Sequence, residues 1–122
     1  MKYIRVYVDE NGESHFEDVE VELNATDFAP PAPPLQLSPM TPASGVAFVR
    51  FPPGWNGGWH PTPRRQFFFF LSGEIACETS DGDHRSLSLG SAVFLEDTTG
   101  RGHRAWVMGD GEVLATVVQL AD

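Results

Sequence analysis

The sequence predicts an all-β fold built from many short strands, and three observations lead to that prediction. Runs of alternating apolar and polar residues recur at short intervals along the chain. Turn residues, including Ser72-Gly73 and Asp81-Gly82, separate these runs. No stretch of helical length carries a 3.6-residue apolar period without an interrupting proline or glycine. This pattern is typical of β-sandwiches and jelly-roll barrels.

Length and composition limit the chain to one domain. It has 122 residues, of which 41% are hydrophobic, and this is enough for a core without disulfide or zinc stabilisation. The single cysteine, Cys77, cannot form an intramolecular disulfide, and its strand-like surroundings indicate a buried, unreactive thiol. We expect a single domain over residues 1–122.

The negative net charge of the chain disfavours some classes of binding partner, above all nucleic acids. The net charge of −9 argues against nucleic acid, because phosphate binding requires a basic surface. The N-terminal segment turns polar by Asp9, so it matches neither a signal peptide nor a membrane span. We therefore expect a cytoplasmic protein without a membrane partner.

Three segments can be distinguished along the chain. Residues 1–27 contain the predicted strands Tyr3–Val8 and Phe16–Leu23, joined by an Asn-Gly hairpin signature. Residues 28–45 contain six of the ten prolines. This density excludes a helix or a central strand and predicts an extended arm, laid over the barrel or over a neighbouring subunit. Residues 46–122 form the predicted barrel core.

The barrel core carries seven predicted strands. They are Val46–Phe51, Gln66–Leu71, Ile75–Thr79, Arg85–Leu89, Ala92–Leu95, His103–Val107 and Val113–Leu120. Within the second of them, Phe67–Phe70 is an unbroken aromatic run, and alternate side chains on a strand point to opposite faces. One face can be covered by the barrel interior, and the other needs the N-terminal strands or a partner subunit. We therefore expect a homodimer.

The charged residues are unevenly placed. Eight acids lie between Asp9 and Asp27 without a Lys or Arg among them, whereas Arg64, Arg65, Arg101 and Arg104 bracket the two segments that carry His60 and His103. The four arginines can make the mouth of a cavity locally positive. Alternatively, they pair with the N-terminal acids, within the chain or across a dimer.

Ligand-like residues occur at a regular spacing in the middle of the chain. Gly54, His60, Gln66 and Gly73 occupy positions of the pattern G-x5-H-x-H-x3-E-x6-G, with Thr62 at the second histidine position. On these residues the chain resembles a small single-domain cupin, a double-stranded β-helix or jelly-roll barrel, of a bacterial subgroup without a clear common activity.

The second motif of that family, G-x5-P-x-G-x2-H, is matched less completely. Gly90 fits the pattern, whereas Glu96, Thr98 and Arg101 stand at the Pro, Gly and His positions. His103 follows two residues later, and a loop insertion before it can absorb the difference.

The resemblance implies a divalent metal ion, Fe, Mn, Ni or Zn, held by His60, Gln66 and His103. His60 and Thr62 lie two residues apart, so on a strand they face the same side. Threonine is a poor ligand and glutamine is neutral, so we expect weak metal binding with open positions for water or an anionic substrate. Alternatively, His60 donates a hydrogen bond to a bound organic anion, or to Gln66 in a polar cavity floor.

Other candidate residues flank these positions. Thr62, Arg64, Trp59 and Trp106 are candidate substrate-binding residues. The indole rings, together with that of Trp55, can wall an apolar pocket, or they can pack as ordinary barrel residues.

Glu96 and Asp97 end a predicted strand close to His103. A carboxylate at this position can add a metal ligand or act as a general base whose pKa is raised by burial. We take Glu96 as the candidate catalytic residue. The alternative is an ion pair with Arg101 or Arg104.

The resemblance and the residues together predict a small-molecule-binding cupin. Its ligand would be a small anionic or aromatic compound, and as a weak divalent-metal enzyme it would act as a dioxygenase, isomerase or lyase. The alternative is a non-catalytic metabolite-binding module with a degenerate metal site. Whether the protein is an enzyme stays open at this point, because this fold carries many unrelated functions.

Overall fold

Eleven strands and no helix make up the protein, and the computed structural model describes all 122 residues. The strands are β1 (Lys2–Val8), β2 (Ser14–Glu20), β3 (Asn24–Thr26), β4 (Leu35–Leu37), β5 (Ala43–Phe51), β6 (Gln66–Ser72), β7 (Glu74–Thr79), β8 (His84–Ser88), β9 (Ala92–Leu95), β10 (His103–Val107) and β11 (Val113–Leu120). The predicted all-β class is confirmed. No helix long and apolar enough to cross a membrane is present.

Two facing sheets form a jelly-roll sandwich. The larger sheet has six strands in the order β2-β1-β9-β6-β11-β5, and the smaller has three in the order β10-β7-β8. A separate ribbon pairs β3 with β4. Since β6 and β7 are joined only by Gly73, the chain crosses from one sheet to the other at that glycine.

The N-terminal hairpin is part of the larger sheet. Strand β1 lies parallel to β9, with Ile4 opposite Val93 and Val6 opposite Leu95. The proline-rich segment is mostly extended, as expected, but it contains the short strand β4. In addition, β5 begins at Ala43, inside the segment that was expected to be an arm.

The core lies between the two sheets. Its most buried side chains come from alternate positions of the facing strands, which is how a sandwich buries one face of each sheet. Each fully buried aliphatic side chain contributes about 1.5–3 kcal/mol to the free energy of unfolding. The buried cluster comprises Val6, Phe70, Ile75, Cys77, Leu87, Val93, Leu95, Val107, Val113 and Ala115.

The aromatic run on β6 alternates between the two faces of the sheet, as predicted. Phe68 and Phe70 face the interior. Phe67 lies on the outer face, where its ring stacks on Phe94 of β9 with centroids 4.4 Å apart. Phe69, on the same outer face, keeps 40% of its surface exposed. The protein's own strands therefore cover only part of that face.

The proline-rich arm passes over the outer face of the larger sheet. Its residues Pro39 and Met40 form one wall of a groove of about 540 Å³, and Tyr3, Phe67 and Val118 are among the residues of the other walls. This part of the arm therefore lies beside its own barrel, while most of the arm stays exposed.

His15 contacts two carboxylates, one in the first hairpin and one in the turn after β7, and so connects these two parts of the fold. His15 Nε2 lies 2.7 Å from Asp9 Oδ2, and its Nδ1 lies 3.0 Å from Asp81 Oδ2. The imidazole also stacks on Tyr7, with ring centroids 5.4 Å apart. The hydrogen bond to Asp9 is the largest cause that raises the pKa of His15, and the same contacts lower the pKa of Asp9.

Stability should fall as pH rises through the raised pKa of His15. The folded state favours the protonated imidazole, so its contribution is fully present below the unfolded pKa of 6.5 and is lost at higher pH. Thermal unfolding between about pH 6 and pH 9 should show this decline in the wild type and a flatter profile in His15→Gln. The exposed His84→Gln is the matched control and should keep the wild-type slope. An identical pH profile for His15→Gln and wild type would contradict the assignment.

Candidate ligand-binding cavity between the two sheets

A mainly apolar cavity of about 180 Å³ lies between the two sheets at one end of the sandwich. Both sheets and the loop before β6 contribute to its walls, because alternate residues of each strand point inward. It is lined by Phe51, Trp55, His60, Thr62, Pro63, Gln66, Phe68, Phe70, Ile75, Cys77, Leu87, Val93, Leu95, His103 and Ala105. His60, Thr62, Gln66 and His103, which the sequence pattern singled out, therefore line the same cavity.

A short backbone bridge brings the two histidines together. His60 N donates to His103 O, and His103 N donates to His60 O, each at 3.0 Å. The two imidazole centroids lie 5.0 Å apart. The offset of His103 from the expected motif position thus does not move it away from His60.

Gly102 makes this bridge sterically feasible. Its φ of +73° lies in the left-handed region that side chains disfavour. A Cβ atom at this position would lie 2.1 Å from His60 O, closer than any nonbonded contact allows. The loop that precedes β10 can therefore lie against the backbone of His60 only because residue 102 is glycine.

Hydrogen bonds at Nδ1 orient both imidazoles. His103 Nδ1 lies 2.6 Å from Asp97 Oδ2, and both side chains are almost completely buried. His60 Nδ1 lies 2.8 Å from the carbonyl oxygen of Gly58. A carbonyl oxygen can only accept, so His60 donates from Nδ1, and its neutral form has an acceptor lone pair at Nε2.

Two buried polar atoms beside the histidines have no hydrogen-bond partner. They are Thr62 Oγ1, on the cavity wall, and Asp97 Oδ1. The two residues are adjacent, because Thr62 N donates to the backbone oxygen of Asp97 at 3.0 Å. Leaving a buried polar group without a partner costs about 1–3 kcal/mol. An unpartnered hydroxyl on a cavity wall is therefore available to a ligand.

Gln66 adds an amide to the polar wall and is held from behind the wall by Gln119. Gln119 Nε2 donates to Gln66 Oε1 at 3.1 Å, across the adjacent strands β6 and β11. Gln119 is not among the site residues predicted from the sequence. Its only sequence signal is an amide side chain near the end of the mainly apolar strand VLATVVQL. The pairing with Gln66 depends on strand register, which the spacing of apolar residues does not reveal.

Glu96 lies outside the cavity. Its carboxylate accepts hydrogen bonds from Arg5 at 2.6 Å and from Arg65 at 3.2 Å, on the outer side of the larger sheet. The expected alternative, an ion pair with Arg101 or Arg104, is also not observed. It is Asp97, the next residue along the chain, that reaches His103, because successive residues at the strand end point to opposite sides.

The arginines expected at the cavity mouth are engaged elsewhere. Arg101 pairs with Glu13, and Arg65 with Asp122 as well as Glu96. Arg64 donates to the backbone oxygen of Asp122 at 3.1 Å. Pairing with an N-terminal acid within the chain is thus observed for Arg101.

Two of the three tryptophans lie away from the cavity walls. The Arg104 guanidinium sits over the rings of Trp59 and Trp106, 5.2 Å from each centroid, and also bonds Glu78 at 2.5 Å. Only Trp55 lines the cavity, where its ring meets Phe51 edge-on. Trp59, Trp106 and Arg104 instead form a cation–π cluster on the surface.

The donor atoms on this wall do not suit a tight metal site. No group of three His, Cys, Asp or Glu side chains is placed to hold an ion. His60 and His103 have Nδ1 engaged, which is the usual arrangement of histidines that ligate through Nε2. Gln66 adds a neutral oxygen, and Thr62 stands where a further imidazole would be needed. The set therefore offers three neutral donors and no anionic ligand to balance a divalent charge.

Cys77 should be unreactive in the folded protein although it lines the cavity. Burial raises its pKa to about 12, with Asp97 and Glu78 adding to the effect. At about pH 8 such a thiol is roughly 0.01% thiolate, the reactive form. Ellman's reagent should therefore react with it only in guanidinium chloride, whereas a Thr99→Cys thiol, at an exposed loop position, should react at once in the folded protein. Equal rates for Cys77 in the folded and unfolded states would contradict this.

Residues 47–119 match the sequence profile of the family described as Cupin domain. No curated protein matches the chain significantly. Among solved structures, a cupin domain from Bordetella pertussis Tohama I is 24% identical over 63% of this chain and 80% of its own, with a TM-score of 0.50. The Cnp3 cupin domain of Schizosaccharomyces pombe is 12% identical over 98% of this chain and 87% of its own, with a TM-score of 0.52. These two likenesses show the fold.

An enzyme is among the similar structures. The DMSP lyase DddQ from Ruegeria pomeroyi DSS-3 is 25% identical over 63% of this chain, with a TM-score of 0.52. This match spans only 38% of the lyase's own chain.

Proposed function

Because the chain belongs to the cupin domain family, we propose that its cavity binds a small organic molecule with one polar or anionic group on an apolar or aromatic body. The observation that carries the proposal is Thr62 Oγ1, a buried hydroxyl without a partner on the wall of an apolar cavity. A ligand atom that pairs with it removes the cost of leaving it unsatisfied.

Size and lining define the class of ligand. The cavity volume of about 180 Å³ is close to that of cavities of about 150 Å³ that accept benzene. Phe51, Phe68 and Leu95 offer apolar contacts, and the imidazoles of His60 and His103 lie with Thr62 among the polar wall residues. A compound of about one ring with a single carboxylate or hydroxyl group fits this distribution of surfaces.

The His103–Asp97 pair gives the cavity a candidate general base. A neutral imidazole that donates from Nδ1 to a buried carboxylate can take a proton at Nε2, and the carboxylate stabilises the imidazolium that forms. In this proposal Asp97 takes the role expected of Glu96, which is bound to Arg5 and Arg65. Proton abstraction fits an isomerase or a lyase. The presence of a lyase among the similar structures supports the enzymatic alternative. The alternative is a non-catalytic metabolite-binding module.

Thr62→Val tests the binding site. Valine has nearly the same shape as threonine and lacks the hydroxyl, so the free energy of unfolding should be unchanged or about 1 kcal/mol higher. Binding of benzoate and phenol, measured by ligand-observed NMR and titration, should weaken by about three- to tenfold. Thr99→Val, at an exposed loop position, is the matched control and should bind as the wild type does. Failure of both probes to bind wild type, or equal binding by Thr62→Val, would overturn the proposal.

A weak divalent-metal site is the second candidate, favoured by the two imidazoles with Nδ1 already engaged. His60, Gln66 and His103 would hold the ion, which would supply Lewis-acid polarisation of a bound oxygen group. Thr62 and the apolar walls would orient the bound molecule and exclude water.

Gln66→Glu should bind metal more tightly than wild type, because the carboxylate adds the missing anionic ligand. Calorimetric titration with Ni²⁺ and Zn²⁺ should show that gain. The His60→Ala, His103→Ala double variant should lose binding, and His84→Ala, at an exposed position, should keep it. Unchanged metal uptake by the double variant would mean that the ion binds elsewhere.

The remaining parts of the proposal concern setting and partners. We infer a cytoplasmic protein that does not act on nucleic acid or membranes, since the net charge of −9 opposes binding to phosphate-rich surfaces. We also propose a homodimer, because the larger sheet keeps exposed apolar side chains, most of all Val46 and Phe48 on β5.

A further inference from the structure

Strand β5 is a long and largely apolar edge of the larger sheet, and its one irregularity is a register shift near its start, between Ala43 and Gly45. It has nine residues and pairs on one side only, with β11. Val46 is 71% exposed and Phe48 is 87% exposed. Edge strands of this kind offer unpaired backbone groups to another strand, and proteins normally protect them with charges, prolines or bulges.

The backbone groups of Val46 and Phe48 point away from the sheet. Leu120 N donates to Arg65 O at 3.0 Å, toward the β6 side of β11. Successive residues of a strand direct their backbone groups to alternate sides. Val117 lies three positions before Leu120, so its backbone N–H and C=O point toward β5. There they form hydrogen bonds with the backbone of its register partner, Ala47. The backbone N–H and C=O groups of Val46 and Phe48, on either side of Ala47, therefore point away from β11 and have no strand to pair with.

Charge distinguishes the two edges of this sheet. At the opposite edge, β2 carries Glu17, Asp18 and Glu20, so two copies meeting there would repel. Residues 43–49 of β5 contain no charged side chain. The only charge on β5, Arg50, is already neutralised by Glu112. In a protein with a net charge of −9, β5 is therefore the edge at which two copies can meet without like-charge repulsion.

We propose that two copies of the chain pair antiparallel through β5, with Ala47 on the two-fold axis. This register sets Val46 opposite Phe48 of the other copy, twice by symmetry, in a hydrogen-bonded pair formed by the outward-facing backbone groups. The two most exposed apolar residues of the strand then cover each other, and the two larger sheets become one continuous sheet. The pairing is independent of any ligand in the cavity.

A cysteine at the axis tests both the surface and the register. Directly opposed residues in a non-hydrogen-bonded antiparallel pair have Cα atoms about 4.5 Å apart, within the range of a disulfide of about 4.4–6.8 Å. Ala47→Cys should therefore form a dimer linked through a disulfide on mild oxidation. Ala43→Cys is the matched control on the same exposed strand, and its two thiols would lie about 27 Å apart and stay reduced.

Light scattering at micromolar concentration supplies the second measurement. Wild type should have the mass of a dimer, and Phe48→Lys should have the mass of a monomer with an unchanged circular dichroism spectrum, since Phe48 makes few contacts within its own chain. A wild-type monomer would overturn the proposal. So would a wild-type dimer in which Ala47→Cys stays unlinked, or one in which Ala43→Cys links as readily, because the copies would then meet at another surface or in another register.

Discussion

The backbone bridge between His60 and His103 is the contact on which the candidate site depends. Two hydrogen bonds of 3.0 Å join the loop before β6 to the start of β10, and a third, from Thr62 N to Asp97 O, extends the connection. Gly102 permits the approach, because any side chain there would collide with the His60 carbonyl. Without this connection the imidazoles and the Thr62 hydroxyl would not share one wall, and the apolar cavity would have no polar end.

Charged side chains are kept off the cavity walls, and the one carboxylate that reaches a wall residue is Asp97, which is hydrogen-bonded to His103. The Asp97 side chain is fully buried, and its partner His103 is nearly so, so breaking this hydrogen bond would leave buried polar atoms without a partner. Most arginines are used on the surface, where they pair with Glu13, Glu78, Glu96 and Asp122. An acidic protein thus keeps a nearly neutral interior pocket, which suits an organic ligand better than a highly charged one.

Much of the fold could be predicted from the sequence because strand periodicity is a local property. All nine strands read from the pattern are present, and only the short β3 and β4 were missed. The position of β1 inside the larger sheet was not predicted, since its parallel pairing with β9 joins distant segments and leaves no local signal. The Phe67–Phe70 run correctly indicated side chains on both faces of the sheet, but the N-terminal strands do not cover the outer face, because they lie in the same sheet, and Phe69 stays 40% exposed.

The sequence by itself determined the strands, the family resemblance and the substitution of Thr62 and Gln66 for stronger metal ligands, because each depends on residue type and spacing along the chain. Only the tertiary structure decided which side of a strand end faces the cavity. It placed Asp97 against His103 and Glu96 against Arg5, although the two acids are adjacent in sequence. It also left Thr62 Oγ1 without a partner and the outer side of β5 without a neighbouring strand. Unsatisfied groups are defined by what surrounds them in space, and no local pattern specifies those surroundings.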